Sequence, residues 1–245
     1  MGFNAPAYHI FPLGDTALTI DYGNSIDENI NKEVIARTQQ LKDNLKGVIE
    51  IVPAYSSLTV YYDLAALKRK TPKDKLVYEH LKQTVEQWLE QPLLQQETAE
   101  RQIKIPVCYD PVFATDILAV AKANNITVEE VMAIHLSRTY RVFMLGFLPG
   151  FSYMGEIDER IAMPRKPQPE MVAPGSVAIA GKQTGIYPLA SPGGWRIIGR
   201  TPVKLFDAED KEPTLLRAGD RVQFISITRN DFYELENDPL RQENG

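Results

Sequence analysis

Leu18, Ile20 and Tyr22 recur at every second position, the alternation a half-buried strand requires. Ser25 followed by Glu28 has the spacing of a capping box, and Ile26, Ile30, Val34, Leu41 and Leu45 then recur at helical spacing. Two further strands are predicted at Val48–Val52 and Leu58–Tyr62. A second amphipathic helix carries Leu76, Leu81, Val85, Trp88 and Leu89, and Pro92 helps to end it. The resulting order, β-β-α-β-β-α, predicts a small sheet with helices on one face.

Beyond a polar link at 95–101 the pattern changes. Ile103, Ile105 and Val107 open a new strand, and two short helices follow. The second begins at a Thr127–Glu130 capping box and places Val128, Val131, Met132, His135 and Leu136 on one stripe. Nine of the fifteen glycines and eight of the seventeen prolines then fall between Gly146 and Pro202, a density that favours short strands joined by tight turns. Val222 and Phe224 supply a late strand ahead of a polar tail. The expected fold class is α+β, with an α/β domain over 1–97 and a mainly β domain over 98–245.

Composition narrows the function classes. With 245 residues, 44% of them hydrophobic, the chain has room for two cores. A net charge of −5 and a pI near 5.4 give no electrostatic drive toward nucleic-acid phosphates. No run of eighteen apolar residues offers a membrane span, and MGFNAPAYHIF lacks the basic start and apolar stretch of a secretory signal. The single cysteine, Cys108, rules out an internal disulfide and fits a reducing cytoplasm. Three scattered histidines (His9, His80, His135) do not give zinc-ligand spacing, so no metal is expected.

Candidate chemistry concentrates in two segments. GFLPGFSYMG (146–155) holds Phe147, Phe151 and Tyr153 among three glycines. It reads as a pocket wall or as a loop packed on its own rings. The 180–202 segment offers Gln183, Thr184, Tyr187, Ser191, Arg196 and Arg200 as donors. Its Ser191-Pro192-Gly193-Gly194 turn reads as an amide nest for a carboxylate or as an ordinary hairpin turn. Arg200 is the candidate anion clamp. His135 is the candidate catalytic acid or base, its alternative being a buried neutral histidine with one partner. Two familiar motifs fail. Between Gly175 and Gly181-Lys182 five residues stand where a phosphate loop has four, and Gln183 occupies the magnesium-binding position. Leu189 replaces the leading glycine of a nucleophile elbow before Ser191.

The run from Tyr140 to Asp207, with GFLPGFSYMG, PGSVAIAGKQTGIYPLASPGGW and IIGRTP at its centre, resembles the allophanate hydrolase subunit 1 family. The resemblance extends from about Gly14 to Phe224. That family includes 5-oxoprolinase B subunits and an inhibitor of a sporulation sensor histidine kinase. The resemblance implies a cyclophilin-like β-barrel behind a smaller, ferredoxin-like α/β domain. It implies a larger partner of allophanate hydrolase subunit 2 type and a third, lactam-processing subunit, the complex opening 5-oxoproline to glutamate at the expense of ATP. Kinase inhibition is the alternative function within the family, and prolyl isomerisation is suggested by barrel analogy alone. DPVFATDI after Tyr109 and Ala173-Pro174-Gly175 depart from the family pattern.

Overall fold

The computed structural model describes residues 7–93 and 100–237. The chain divides into two compact units, Met1–Thr98 and Ala99–Gly245.

In the first unit, strands β1 (His9–Pro12) and β2 (Ala17–Asp21) precede helix α1 (Glu28–Asn44). Strands β3 (Val48–Pro53) and β4 (Ser57–Tyr62) follow, then the short α2 (Leu64–Lys68) and α3 (Val77–Glu90). The strands form one antiparallel sheet in the order β1-β2-β4-β3. A βαββαβ unit has its last strand after the second helix. Here β1, the first strand of the chain, holds an edge of the sheet beside β2. The core joins Leu18, Ile20, Ile51, Leu58 and Val60 of the sheet to Val34 and Leu41 of α1 and to Leu81, Val85 and Leu89 of α3.

Two local expectations are corrected. The cap of α1 is Asp27, whose carboxylate accepts from the Asn29 and Ile30 amides, so Ser25 and Ile26 lie outside the helix. Aspartate caps as well as serine, and a start at Glu28 turns Asn31 inward to bond the Ala54 and Tyr55 carbonyls. Leu76 caps α3 from an exposed position instead of joining its apolar stripe.

The second unit contains β5 (Gln102–Val107), α4 (Ile117–Asn124), α5 (Val128–Leu136), β6 (Thr139–Leu145) and β7 (Ser152–Gly155). It continues with β8 (Glu170–Val172), β9 (Ser176–Ala180), β10 (Gln183–Ile186), β11 (Ser191–Gly193) and β12 (Arg196–Arg200), then β13 (Arg221–Ser226) and α6 (Arg229–Asn237). Seven strands form a curled half-barrel sheet in the order β12-β9-β10-β7-β6-β13-β5, in which only β13 and β5 run parallel. Its two edges meet just past the end of β5. The Cys108 amide donates to the Arg200 carbonyl at 2.8 Å, and the Arg200 amide returns a bond to the Cys108 carbonyl at 3.0 Å.

Apolar side chains of the strands, with Ile117, Val120, Val131 and Ile134 of α4 and α5, form its main core. The Thr127–Glu130 capping box that starts α5 is present. The expected polar tail is a helix over 229–237. Thr228 and Asp231 cap it reciprocally, and its Phe232 is buried 4.3 Å from the Phe113 ring.

Among the described residues, no helix is long and apolar enough to cross a membrane, and no group of three His, Cys, Asp or Glu side chains could hold a metal ion.

Candidate functional site

The two glycine-rich segments become neighbouring strands. Register pairs Ser152 with Ile186 and Tyr153 with Gly185 across β7 and β10. A Cβ at Gly185 would lie 2.8 Å from the Ser152 carbonyl and 3.1 Å from both the Phe151 and Trp195 rings. Glycine is therefore what lets those rings lie down on the strand. Phe151 stands edge-on to Tyr187 at 5.0 Å and to Trp195 at 5.5 Å, and Tyr153 meets Trp195 at 5.8 Å. These rings, with Val172, Ala178, Ala180 and Ile197, form a cluster distinct from the main core.

Phe147 completes the layer. Its ring is 5.6 Å from Phe151 and 6.4 Å from Tyr187, yet 60% of the residue is exposed. Its φ is +69°, and the Leu148 amide donates to the Gly146 carbonyl across it at 2.9 Å. This is a γ-turn with a left-handed central residue, a strained conformation for a side chain of this size.

The Ser191–Gly194 turn abuts the layer. A Cβ at Gly193 would come within 2.4 Å of the Tyr187 hydroxyl, and the Gly194 carbonyl accepts from the Lys166 amide at 2.7 Å. Burial holds the Tyr187 phenol above its ordinary pKa, against a hydrogen bond from the Trp195 backbone. The Ser191 hydroxyl is buried without a hydrogen-bond partner, as is that of Ser152. A serine nucleophile needs a base in contact, and Ser191 has none. Gln183 is half-buried at the start of β10, opposite Ala180 and Gly155.

His135 and Thr184 lie in the interior of the second unit. His135 is fully buried, with its ring stacked on Phe224 at 4.6 Å and on Tyr140 at 5.2 Å. Thr184 Oγ1 donates to the Ala178 carbonyl at 3.0 Å, which spends its only hydrogen. It therefore accepts from His135 Nε2 at 3.0 Å, leaving Nδ1 to accept from the Tyr109 hydroxyl at 2.8 Å. Both ring nitrogens are occupied, and burial lowers the imidazole pKa to about 3. The geometry gives His135 a packing role, with two hydrogen-bond partners and no exposed edge.

An unfolded imidazole titrates near 6.5. Between that value and about 3 the unfolded chain binds a proton that the folded chain refuses. The contribution of His135 to stability is therefore complete above pH 6.5 and declines as pH falls. From pH 6.5 to 5 the loss should be roughly 1–2 kcal/mol. Urea unfolding at both pH values should show the wild type losing that much more stability than His135→Gln; equal losses would contradict the assignment.

Arg200 is committed elsewhere. Its Nε donates to the Pro174 carbonyl at 2.8 Å, and its guanidinium lies 5.7 Å from the Phe113 ring centre and 5.5 Å from that of Phe232. It also reaches Glu236 at 3.8 Å. Arg200 thus ties α6 to the place where the edges of the curled sheet meet. Arg196 donates to the Pro164 carbonyl, and Tyr140 and Arg141 are buried, Arg141 against Glu100. The stretch from Gly175 to Gly181 is strand β9 with a turn at each end, and Lys182 pairs with Glu159. It lacks the loop leading into a helix N-terminus that cradles nucleotide phosphates, so these residues do not fit an ATP site.

The residues that sequence reasoning missed lie at 165–166 and 195. Trp195 is the floor of the aromatic layer. Lys166 Nζ lies 2.8 Å from Asp116 Oδ2 and 2.8 Å from Glu170 Oε2, with its side chain only 9% exposed. Burial opposes the ammonium, but the two carboxylates outweigh it and hold the pKa above its ordinary value. The same Asp116 Oδ2 accepts from the Ile197 amide at 2.8 Å. The adjoining prolines mark 164–169 as a loop, but its partners lie up to fifty residues away in the chain.

A curled sheet with a separate aromatic layer on its strands, and a turn of small residues against that layer, is the setting in which the comparisons with known proteins fall. The chain belongs to the carboxyltransferase family, its residues 8–216 matching the carboxyltransferase domain, subdomain C and D. Within that class its full-length relatives are B subunits of 5-oxoprolinase. It is 43% identical over 229 residues to the 5-oxoprolinase B subunit of Bacillus subtilis (strain 168), covering 92% of this chain and 95% of the relative. With the 5-oxoprolinase B subunit of Escherichia coli O157:H7 it shares 36% identity over 214 residues, 87% and 93% of the two chains. In fold it is similar to the Kluyveromyces lactis urea carboxylase, with a TM-score of 0.72 and 19% identity over 96% of this chain and 23% of that one.

Proposed function

We propose that this chain is the B subunit of an ATP-dependent 5-oxoprolinase, which opens 5-oxoproline to L-glutamate in the cytoplasm and is active only in complex. The observation that carries this reading is the 43% identity to a 5-oxoprolinase B subunit across nearly the whole of both chains. We infer that the second unit is a cyclophilin-like barrel, its edges joined at Cys108 and Arg200. The first unit is then a ferredoxin-like arrangement with its closing strand moved to the front of the chain. The partners are a larger subunit of allophanate hydrolase subunit 2 type and a lactam-processing subunit.

A lactam amide is stabilised by resonance, so its opening is driven by ATP used elsewhere in the complex. This chain's part is to bind the lactam. Phe147 and Tyr153 offer flat surface for a five-membered ring, with the buried Phe151, Tyr187 and Ser191 behind them, while Gln183 and the Gly193–Gly194 turn offer polar groups for its amide. Thr184 supports the layer from inside the barrel.

The chain purified alone should release no glutamate from 5-oxoproline. Co-expressed with the two partner subunits it should release phosphate only when ATP and 5-oxoproline are both present. Turnover by the isolated chain would contradict the reading, as would an assembled complex that leaves 5-oxoproline untouched.

A further inference from the structure

An anionic substrate needs a cation, and the structure commits Arg200 to Pro174, Phe113 and Phe232. Arg165 stands differently. Its guanidinium lies 5.9 Å from the centre of the Trp195 ring. Among the described residues it makes no hydrogen bond and no ion pair. All five of its N–H donors are therefore available.

The backbone that presents it is fixed on both sides. Arg196 Nε bonds the Pro164 carbonyl at 3.3 Å, and the Lys166 amide bonds the Gly194 carbonyl at 2.7 Å. The Lys166 ammonium is locked between Asp116 and Glu170. These bonds set the position from which the Arg165 side chain extends. Lys166 itself is neutralised by its two carboxylates, whereas Arg165 pairs with none among the described residues.

The neighbourhood also suits a small ring. A Cβ at Gly194 would lie 4.0 Å from Arg165 Cβ, which places the Ser191–Gly194 turn directly beside the arginine. Ser191 on that turn carries a buried hydroxyl with no partner. Trp195 joins Arg165 to the ring layer that ends at the exposed Phe147. The Arg165 charge is felt there, drawing the Tyr153 and Tyr187 phenols downward against the larger upward effect of burial.

We infer that Arg165 is the specificity-determining residue that pairs with the carboxylate of a small cyclic amide held at the edge of the aromatic layer, beside the Ser191–Gly194 turn. This rests on the reading of the chain as a 5-oxoprolinase component and names the group that would select 5-oxoproline over an uncharged lactam. A planar guanidinium matches a carboxylate through two parallel bonds, which a lysine cannot reproduce.

The test uses the assembled complex with Arg165→Gln and Arg165→Lys. In Arg165→Gln the KM for 5-oxoproline should rise about 10- to 100-fold, the loss of a charged hydrogen-bond pair. The KM for ATP should not move. The inhibition constant of 2-pyrrolidinone, the same ring without the carboxylate, should also stay at its wild-type value. Arg165→Lys should recover part of the loss. Wild-type KM for 5-oxoproline in Arg165→Gln would overturn the inference while leaving the functional assignment of the chain standing. Equal weakening of 2-pyrrolidinone would overturn it too, by showing damage to the ring layer. A variant that no longer co-elutes with its partners would overturn it by assigning Arg165 to contact with them instead. A wild-type complex without activity on 5-oxoproline would remove the functional reading and this inference together.

Discussion

Replacing His135 with leucine should destabilise the protein by about 2–4 kcal/mol. Leucine roughly fills the space of the ring but accepts no hydrogen bond. The Tyr109 hydroxyl, almost fully buried, would lose its acceptor at Nδ1, and Thr184 would lose the donor it receives at 3.0 Å. An orphaned buried polar group costs about 1–3 kcal/mol, and stacking on Phe224 and Tyr140 would go as well. Tyr109→Phe alone should cost less, since it removes one bond and leaves His135 held by Thr184. Combining the two changes should cost less than their sum, because leucine then no longer orphans a hydroxyl. Urea unfolding of the three variants at pH 7.5 measures this. Strict additivity, or a leucine variant within about 0.5 kcal/mol of wild type (the ordinary scatter of surface changes), would show that the network is not what holds the interior of the second unit.

Gly175→Ala should cost more, about 3–5 kcal/mol. The residue sits at φ +79°, and an added Cβ would stand 2.2 Å from the Thr201 carbonyl oxygen, a backbone atom. The chain cannot easily move aside. The Gly175 amide donates to the Tyr187 carbonyl at 2.7 Å, and its own carbonyl accepts from the Thr201 amide at 2.9 Å. Relief of the clash breaks one or both bonds at the start of β9. Gly181 at the other end of β9 is the natural control. It too has positive φ, but nothing lies within 4 Å of its missing Cβ, so Gly181→Ala should cost only about 1 kcal/mol. Similar thermal midpoints for the two variants would mean that the Thr201 contact relaxes without penalty.

What the sequence disclosed, and what it hid, divides along the range of the interactions involved. Alternation at Leu18, Ile20 and Tyr22 and the Thr127–Glu130 box are local patterns, and both elements are present. Asp27 competes with Ser25 because both are good caps, and only the inward turn of Asn31 decides between them. Helix α6 escapes a sequence reading because Asp231 takes the capping place usual for glutamate, in a segment too polar to announce a buried face. The helical stripe does aim His135 inward. Its partners Tyr109 and Thr184, however, lie 26 and 49 residues away along the chain. The choice of arginine is the hardest. Arg200 sits in a glycine-rich run that invites a ligand, but Phe113 and Phe232 claim its guanidinium from opposite ends of the second unit. Arg165, hidden among prolines, is left available.

The seam at Cys108 and Arg200 has a consequence for biosynthesis. Within the sheet β5 bonds only to β13, which begins at Arg221, and its end is otherwise caught only by Arg200. A strand made early in the second unit therefore waits for partners made late. The 114 residues from Val107 to Arg221 (221 − 107) take roughly 6 to 23 s to synthesise at about 5–20 residues per second. Until β13 is made, β5 lacks its neighbouring strand and its edge is unpaired. Closure of the curled sheet thus waits on β13, and the edge of β5 stays open to misassociation until that strand is made.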